Sequence, residues 1–272
     1  MLIGNKEFDL KNNTYVMGIL NVTPDSFSDG GKFNNIYNAI EAAKKMVEDG
    51  VDIIDIGGES TRPGAEYVSA EEELNRVIPI IRALSREVDV PISIDTYKSK
   101  VAEEAIKAGA SLINDVWGFK KDPNMAKVAA KYDVAVCLMH NRNDKNYNSL
   151  LDDMMDDLKE SINIAKEAGV KDEKIILDPG IGFAKTLEDN LDVMNNLEKF
   201  NELGYPVLLG TSRKSMIGLT LNLPVNERVE GTIATSVIGV MKKMAIIRVH
   251  DVKENRRAID MTKAILGRSI NG

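Results

Sequence analysis

Apolar runs recur along this chain at nearly regular intervals, and each stops abruptly at polar residues. Those at 15–20, 51–56, 91–94, 110–113, 134–139, 174–177, 206–209 and 245–249 are only four to six residues long. Consecutive apolar positions over so short a span predict strands buried on both faces. Between the runs the period changes to that of a helix. Ile36, Ala39, Ile40, Ala43, Met46 and Val47 share one face, and Gly50 closes the segment. Ser69 and Glu72 predict a capping box ahead of the stripe Leu74, Val77, Ile78, Ile81 and Leu84, in which Pro79 predicts a kink. A third helix stops at Gly109, and Asp122 followed by Pro123 predicts the start of a fourth. The fifth carries Leu151, Met154, Met155, Leu158, Ile162 and Ala165 inward and ends at Gly169. Leu187, Leu191, Met194 and Leu197 mark the sixth, a small-residue segment near 231–243 the seventh, and Asp251 with Glu254 the start of the last.

Helices between successive strands impose parallel pairing, and eight such units close into a (β/α)8 TIM barrel, here a single α/β domain over 1–272. The alternative, an open doubly wound sheet, places function at one switch point. Polar clusters after all eight runs favour the barrel, where active sites form at the ends of the strands.

Composition adds exclusions. A net charge of -7 makes the surface acidic and argues against nucleic acid as a partner. Cys137 is the lone cysteine and sits in an apolar run, which predicts a core position and leaves no intrachain disulfide or cysteine-based metal site. Residues 1–13 lack a signal-like apolar segment, and no run of about 18 apolar residues occurs. A cytoplasmic protein with no membrane partner is the expectation.

The barrel would bring Asn21, Thr61, Arg62, Asp95, Asn114, His140, Asp178, Lys214, Arg248 and His250 to one rim. Asp95 and Asp178 stand out because no helical pattern follows them directly, whereas Asp251 reads as a helix cap. Two histidines without a spaced carboxylate motif make a weak zinc site. By charge the rim has two halves. Asp95, Asn114 and Asp178 suit a nitrogen heterocycle with several N–H donors. Arg62, Lys214, Arg248 and His250, with the hydroxyls of Thr61 and Ser212, suit a carboxylate or phosphate. Asn21 offers an oxygen to a hard cation such as Mg2+. No Ser-His or Cys-His nucleophile is evident, so substitution driven by a good leaving group is expected rather than covalent catalysis.

The motifs Leu-Asn-Val-Thr-Pro-Asp-Ser-Phe-Ser-Asp-Gly-Gly at 20–31 and Asp-Ile-Gly-Gly-Glu-Ser-Thr-Arg-Pro-Gly at 55–64 are specific. Together with Asp95, Asn114-Asp115, Asp178-Pro179-Gly180, Gly-Thr-Ser-Arg-Lys-Ser at 210–215 and Arg-Val-His-Asp at 248–251, they resemble the dihydropteroate synthases over nearly the whole chain. Enzymes of that family join para-aminobenzoate to 6-hydroxymethyl-7,8-dihydropterin diphosphate, releasing diphosphate, in folate biosynthesis. The resemblance implies that Asp95, Asn114, Asp178 and Lys214 bind the pterin and that Asn21 holds Mg2+. It implies that Thr61, Arg62, Arg248 and His250 hold the diphosphate, and that Phe27, Pro63, Phe183 and Ser212 receive para-aminobenzoate. Catalysis would rest on Asp95, Arg62 and Lys214. The loops bearing Phe27 and Pro63 would close over the site, and a homodimer would form through the helices after strands six to eight, with faces such as Ile233, Ala234, Val237 and Val240. The rival readings are a pterin-binding methyltransferase of the same superfamily and a barrel that only binds a pterin. One departure is the segment after His140, where the family has a Gly and a Pro within a few residues and this chain has Asn-Arg-Asn-Asp-Lys-Asn-Tyr-Asn at 141–148. Trp117 is expected to pack beneath a helix.

Overall fold

The computed structural model describes residues 1–22, 32–60 and 65–269, the side chains of 32–35 excepted. Phe27, Thr61, Arg62 and Pro63, and with them the expected loop closure, lie outside the described residues.

A small antiparallel hairpin of β1 (Leu2–Ile3) and β2 (Lys6–Glu7) precedes eight parallel strands. These are β3 (Tyr15–Asn21), β4 (Ile53–Gly57), β5 (Ile92–Asp95), β6 (Leu112–Asp115), β7 (Ala135–Met139), β8 (Ile175–Asp178), β9 (Leu208–Leu209) and β10 (Ile246–Val249). Each pairs with its neighbours in chain order, and β10 returns to pair with β3. A parallel bridge between Leu177 and Val207 joins β8 to the segment entering β9. The ring thereby closes into a (β/α)8 barrel, not an open sheet.

Alternation along the strands explains why the runs carry apolar residues at successive positions. Met17, Ile53, Leu112, Cys137, Ile176, Leu208 and Ile246 cluster with Ile3, Phe8 and Leu10 of the N-terminal segment. Their neighbours Val16, Ile54, Ile94, Val136, Leu177 and Val249 join Val77, Ile81, Val101 and Leu158 of the helices in a second cluster. At about 1.5–3 kcal/mol for each large aliphatic side chain buried, these two layers outweigh any single contact at the rim. The rim can therefore carry buried charge.

The helices are α1 (Lys32–Glu48), α2 (Ala70–Glu87), α3 (Ser99–Ala108), α4 (Met125–Tyr132), α5 (Leu150–Glu167), α6 (Leu187–Asn195), α7 (Ser215–Leu221), α8 (Val229–Met241) and α9 (Val252–Ile265). Several differ from expectation for local reasons. Ser69 accepts the Glu72 N–H at 3.2 Å, but the Glu72 carboxylate turns to Arg76, so only half of the capping box forms. The helical assignment of α2 continues through Pro79. Helix α4 starts at Met125 because the Asp122 carboxylate is taken by the N–H groups of Ser99 and Asn124 at 2.8 and 2.9 Å. Val47 and Leu191 face solvent, at 37% and 43% exposure, while Val193 takes the inward position on α6. The short helix α7 was not anticipated. Asp251 does occupy the cap position of α9, yet its carboxylate pairs with Arg213 and makes no cap bond.

Candidate active site

Strand register puts the rim residues at one level. Asp95 stands beside Gly57 of β4 and Asn114 of β6, and a Cβ added at Gly210 would lie 3.9 Å from both Asp178 Oδ2 and Arg248 Cβ. Four strand ends thus converge on Arg248. Its Nε donates to Asp55 Oδ2 at 2.6 Å and its Nη2 to Asp95 Oδ2 at 2.8 Å, while Asn114 Nδ2 donates to Asp55 Oδ2 at 3.0 Å. The other oxygens, Asp55 Oδ1 and Asp95 Oδ1, are buried and have no hydrogen-bond partner among the described residues. Burial pushes the Asp95 carboxyl up to about 7, with Arg248 pulling it down and Asp55 adding to the rise. The two carboxylates hold the guanidinium firmly charged despite its burial. The cation that charge sorting placed with the anion-binding half therefore sits, in this structure, among the acceptors.

Asp178 closes the basin. Its Oδ1 accepts the Gly180 N–H at 2.7 Å, and burial raises its carboxyl against the pull of Lys214. Lys214 Nζ donates to Ile181 O and lies 4.8 Å over the Phe183 ring. Burial lowers the Lys214 ammonium to about 8, with Asp178 opposing.

The second half of the rim comes from the ends of β9 and β10. Ser212 Oγ accepts the His250 N–H at 3.1 Å and lies 2.9 Å from His250 Nδ1. The hydroxyl can donate to Nδ1 or accept from it, according to the imidazole tautomer. This Ser-His contact joins residues 38 apart in sequence, a pairing that spacing along the chain does not reveal. Neighbouring Arg213 holds a left-handed φ of 56°, and α8 supports it. Thr232 Oγ1 accepts the Arg213 N–H at 3.0 Å, Thr235 Oγ1 meets Thr211 Oγ1 at 2.7 Å, and Asp251 grips the guanidinium from two sides.

Asn21 is half-buried at the end of β3. Among the described residues no three His, Cys, Asp or Glu side chains gather as a metal cage. His140 is buried, with its ring engaged by Asp157 and Lys185. Trp117 does not pack beneath a helix. The Asp115 carboxylate accepts the N–H groups of Trp117 and Phe119 at 2.8 and 2.9 Å, and the resulting turn leaves the indole half-exposed. It lines an open cleft of about 450 Å³ with Lys120, Lys121 and Arg142. Three supporting residues went unassigned by sequence reasoning: Asp55, Asp157 and Lys185. Asp55 carried a signal, since a carboxylate in the middle of an apolar run must find a partner inside the barrel.

Comparison with known proteins agrees with this geometry. A family described as pterin binding enzyme matches residues 17–250. The chain is 67% identical to the dihydropteroate synthase of Clostridium beijerinckii, over 98% of this chain and 100% of that one. It is 62% identical to the Bacillus subtilis dihydropteroate synthase, over 95% and 90%. Among solved structures, a Clostridium difficile dihydropteroate synthase in the presence of pteroic acid superposes with a TM-score of 0.93 at 57% identity, covering 95% of this chain and 99% of that one. The Xanthomonas albilineans dihydropteroate synthase with 4-aminobenzoic acid gives 0.90 at 40% identity, covering 94% of each. By sequence over almost its whole length, and by fold, the chain belongs to the dihydropteroate synthases.

Proposed function

We propose that the barrel mouth transfers the pterin-methyl group of 6-hydroxymethyl-7,8-dihydropterin diphosphate to the nitrogen of para-aminobenzoate, with the carboxylate basin as the pterin site. The observation that carries this assignment of the basin is the pair of buried, unpartnered oxygens on Asp55 and Asp95 beside Asp178. A buried acceptor without a donor costs about 1–3 kcal/mol, and the 2-amino and ring N–H groups of a pterin supply donors. Asn114 completes the pocket, and Lys214 leaves Ile181 O to reach the acceptor edge of the ring.

In the reaction the methylene C–O bond breaks and its electron pair leaves with the diphosphate. The resonance-stabilised cation that remains lies in the negative field of Asp95, and the arylamine lone pair closes the new C–N bond. The amine proton passes to water or to the departed diphosphate. Thr61, Arg62 and His250 hold that leaving group, while Arg248 keeps Asp55 and Asp95 in register. Phe27, Pro63 and Phe183 border the para-aminobenzoate ring, whose carboxylate meets Ser212.

Asn21 would offer its side-chain oxygen to a Mg2+, an ion that needs only one or two protein oxygens. Bound there, Mg2+ supplies neutralisation of the charge that develops on the leaving group. The methyltransferase reading has no use for the Arg62-Pro63 loop or for Ser212 beside Lys214. Incubation with Mg2+ and both substrates should release diphosphate only when para-aminobenzoate is present. Pterin binding without release would reduce the protein to a binding barrel.

The pH dependence follows from two groups. Asp95 must be ionised to accept from the pterin, and Lys214 must be protonated to donate to it. With the first at about 7 and the second at about 8, kcat/KM should rise through the lower value and fall above the higher one. A flat profile across that range would show that neither group titrates in the productive complex.

The chain is further proposed to work as a cytoplasmic homodimer. Ile238 and Met241 on α8 and Met261 and Ile265 on α9 are exposed at 39%, 59%, 61% and 72%, on two helices that pack side by side. Val240, expected in that surface, is fully buried and belongs to the core, while Ala234 is exposed and Ile233 and Val237 are half-buried. A dimer on gel filtration at micromolar concentration is the expected result, and a monomer would remove this surface from consideration. No described helix is long and apolar enough to cross a membrane.

A further inference from the structure

The geometry points to Lys185 as a positioning residue of this site, a buried ammonium that sets the 180–183 turn and so places the Phe183 ring against the arylamine. Lys185 is 5% exposed. Its Nζ meets His140 Nδ1 at 3.0 Å, Gly180 O at 3.1 Å and Phe183 O at 3.0 Å. Burial lowers the Lys185 ammonium to about 7, with Asp178 opposing; in its protonated form it has three hydrogens, and here each finds an acceptor.

That arrangement dictates the state of His140. If Nδ1 accepts, the ring proton sits on Nε2, where Asp157 Oδ2 receives it at 3.0 Å. Asp157 also accepts from Arg142, and despite burial these two donors hold its carboxyl well below the usual range. Burial in turn lowers His140 to about 4, so the ring is neutral at physiological pH and keeps its Nδ1 lone pair for Lys185. The backbone of the same histidine donates its N–H to Asp178 O at 2.8 Å. Lys185 is thereby linked to the strand end that carries Asp178, through a residue that never needs to touch substrate.

The turn has reason to need such an anchor. Gly180, Gly182 and Ala184 all have positive φ, at 68°, 86° and 49°, and the alanine adopts this conformation at a cost. A Cβ at Gly180 would lie 2.1 Å from His140 O, so the turn is pressed onto the histidine backbone. Lys185 gathers the carbonyls of Gly180 and Phe183, and Lys214 takes that of Ile181 between them. When Lys214 is drawn to a pterin, Lys185 still holds both flanking carbonyls. The ends are secured separately by Asn190, which accepts the Gly182 N–H at 2.6 Å, and by Tyr147, whose hydroxyl donates to Ala184 O at 2.9 Å.

This inference rests on the reading that Phe183 borders para-aminobenzoate, and the test separates the two. Lys185→Met keeps the length and apolar stem of the side chain and removes all three donors. Loss of an anchoring bond of ordinary strength should raise KM for para-aminobenzoate about tenfold and leave the calorimetric affinity for the pterin diphosphate within about twofold. An unchanged KM, or an equal loss for both ligands, would overturn the assignment, the second result marking a merely structural lysine. Because the chain has only two histidines, nitrogen NMR of labelled histidine gives a second reading in the wild-type protein. His140 should carry its proton on Nε2 alone, and a proton on Nδ1 would overturn the contact with Lys185 whether or not the variant folds. Failure of the wild-type enzyme to release diphosphate would instead defeat the functional reading and leave the NMR result standing.

Discussion

Asp178→Ala is expected to weaken pterin binding by at least about a hundredfold, from the loss of two charge-assisted hydrogen bonds worth about 1.5–3 kcal/mol each. The residue ends β8, is buried, and spends one oxygen on the Gly180 N–H. A Cβ at Gly210 would lie 3.9 Å from its other oxygen and 3.9 Å from Arg248 Cβ, and the Arg248 charge acts on this carboxyl. Alanine also removes the acceptor for Gly180, so Asp178→Asn gives the cleaner comparison. Its amide oxygen still receives the Gly180 N–H, while its NH2 meets the pterin donors with donors of its own. Both variants should melt close to the wild type and both should fail in calorimetry with the pterin diphosphate. Ordinary affinity in the asparagine variant would place the N–H edge of the ring elsewhere in the barrel.

Why Asp178 was visible in the sequence and the pairings around it were not is a matter of range. A strand buried on both faces writes itself as a short apolar run, and a polar residue that ends such a run lies at the mouth of a barrel. Asp95, Asn114 and Asp178 were legible on that ground alone. Runs also show where a strand lies better than where it begins, since β9 covers only Leu208 and Leu209 of the four apolar residues, with Val207 held by a single bridge to Leu177. The N-terminal hairpin, with two residues in each strand, leaves no period to read. Helix α7 lacks a side-chain cap and spans seven residues, too few to establish a stripe. The pairings of the site are less legible still. Arg248 meets Asp55 across 193 positions and Asp95 across 153, and only closure of the ring brings them together. Sorting side chains by charge sent Arg248 to the phosphate because like groups were expected to cluster. Desolvation favours the opposite arrangement, in which a buried cation sits between buried anions.

That arrangement makes Arg248→Met the most damaging single change to the fold that the rim permits. The methionine fills similar volume but leaves Asp55 and Asp95 buried and facing one another, and stranding a buried charge in this way costs about 3–5 kcal/mol. For a chain of this size the loss corresponds to a melting temperature lower by roughly 10 °C. Burial already sets the Asp95 carboxyl in the folded protein above its unfolded value, to about 7, and removing the guanidinium raises it further. The folded variant then binds more protons than the unfolded chain over the interval between those values, so its stability falls as pH rises through that interval. Below the unfolded carboxylate range both states are protonated and the deficit against wild type should vanish. A second substitution supplies the decisive comparison. Asp55→Asn in the wild-type background removes a partner of Arg248 and should destabilise, whereas in the Arg248→Met background it removes a like charge from beside Asp95 and should restore part of the lost stability. The opposite signs are what a guanidinium shared by two carboxylates requires, and thermal melts of the four proteins at neutral pH decide it, equal destabilisation in both backgrounds being the outcome that ends the proposal.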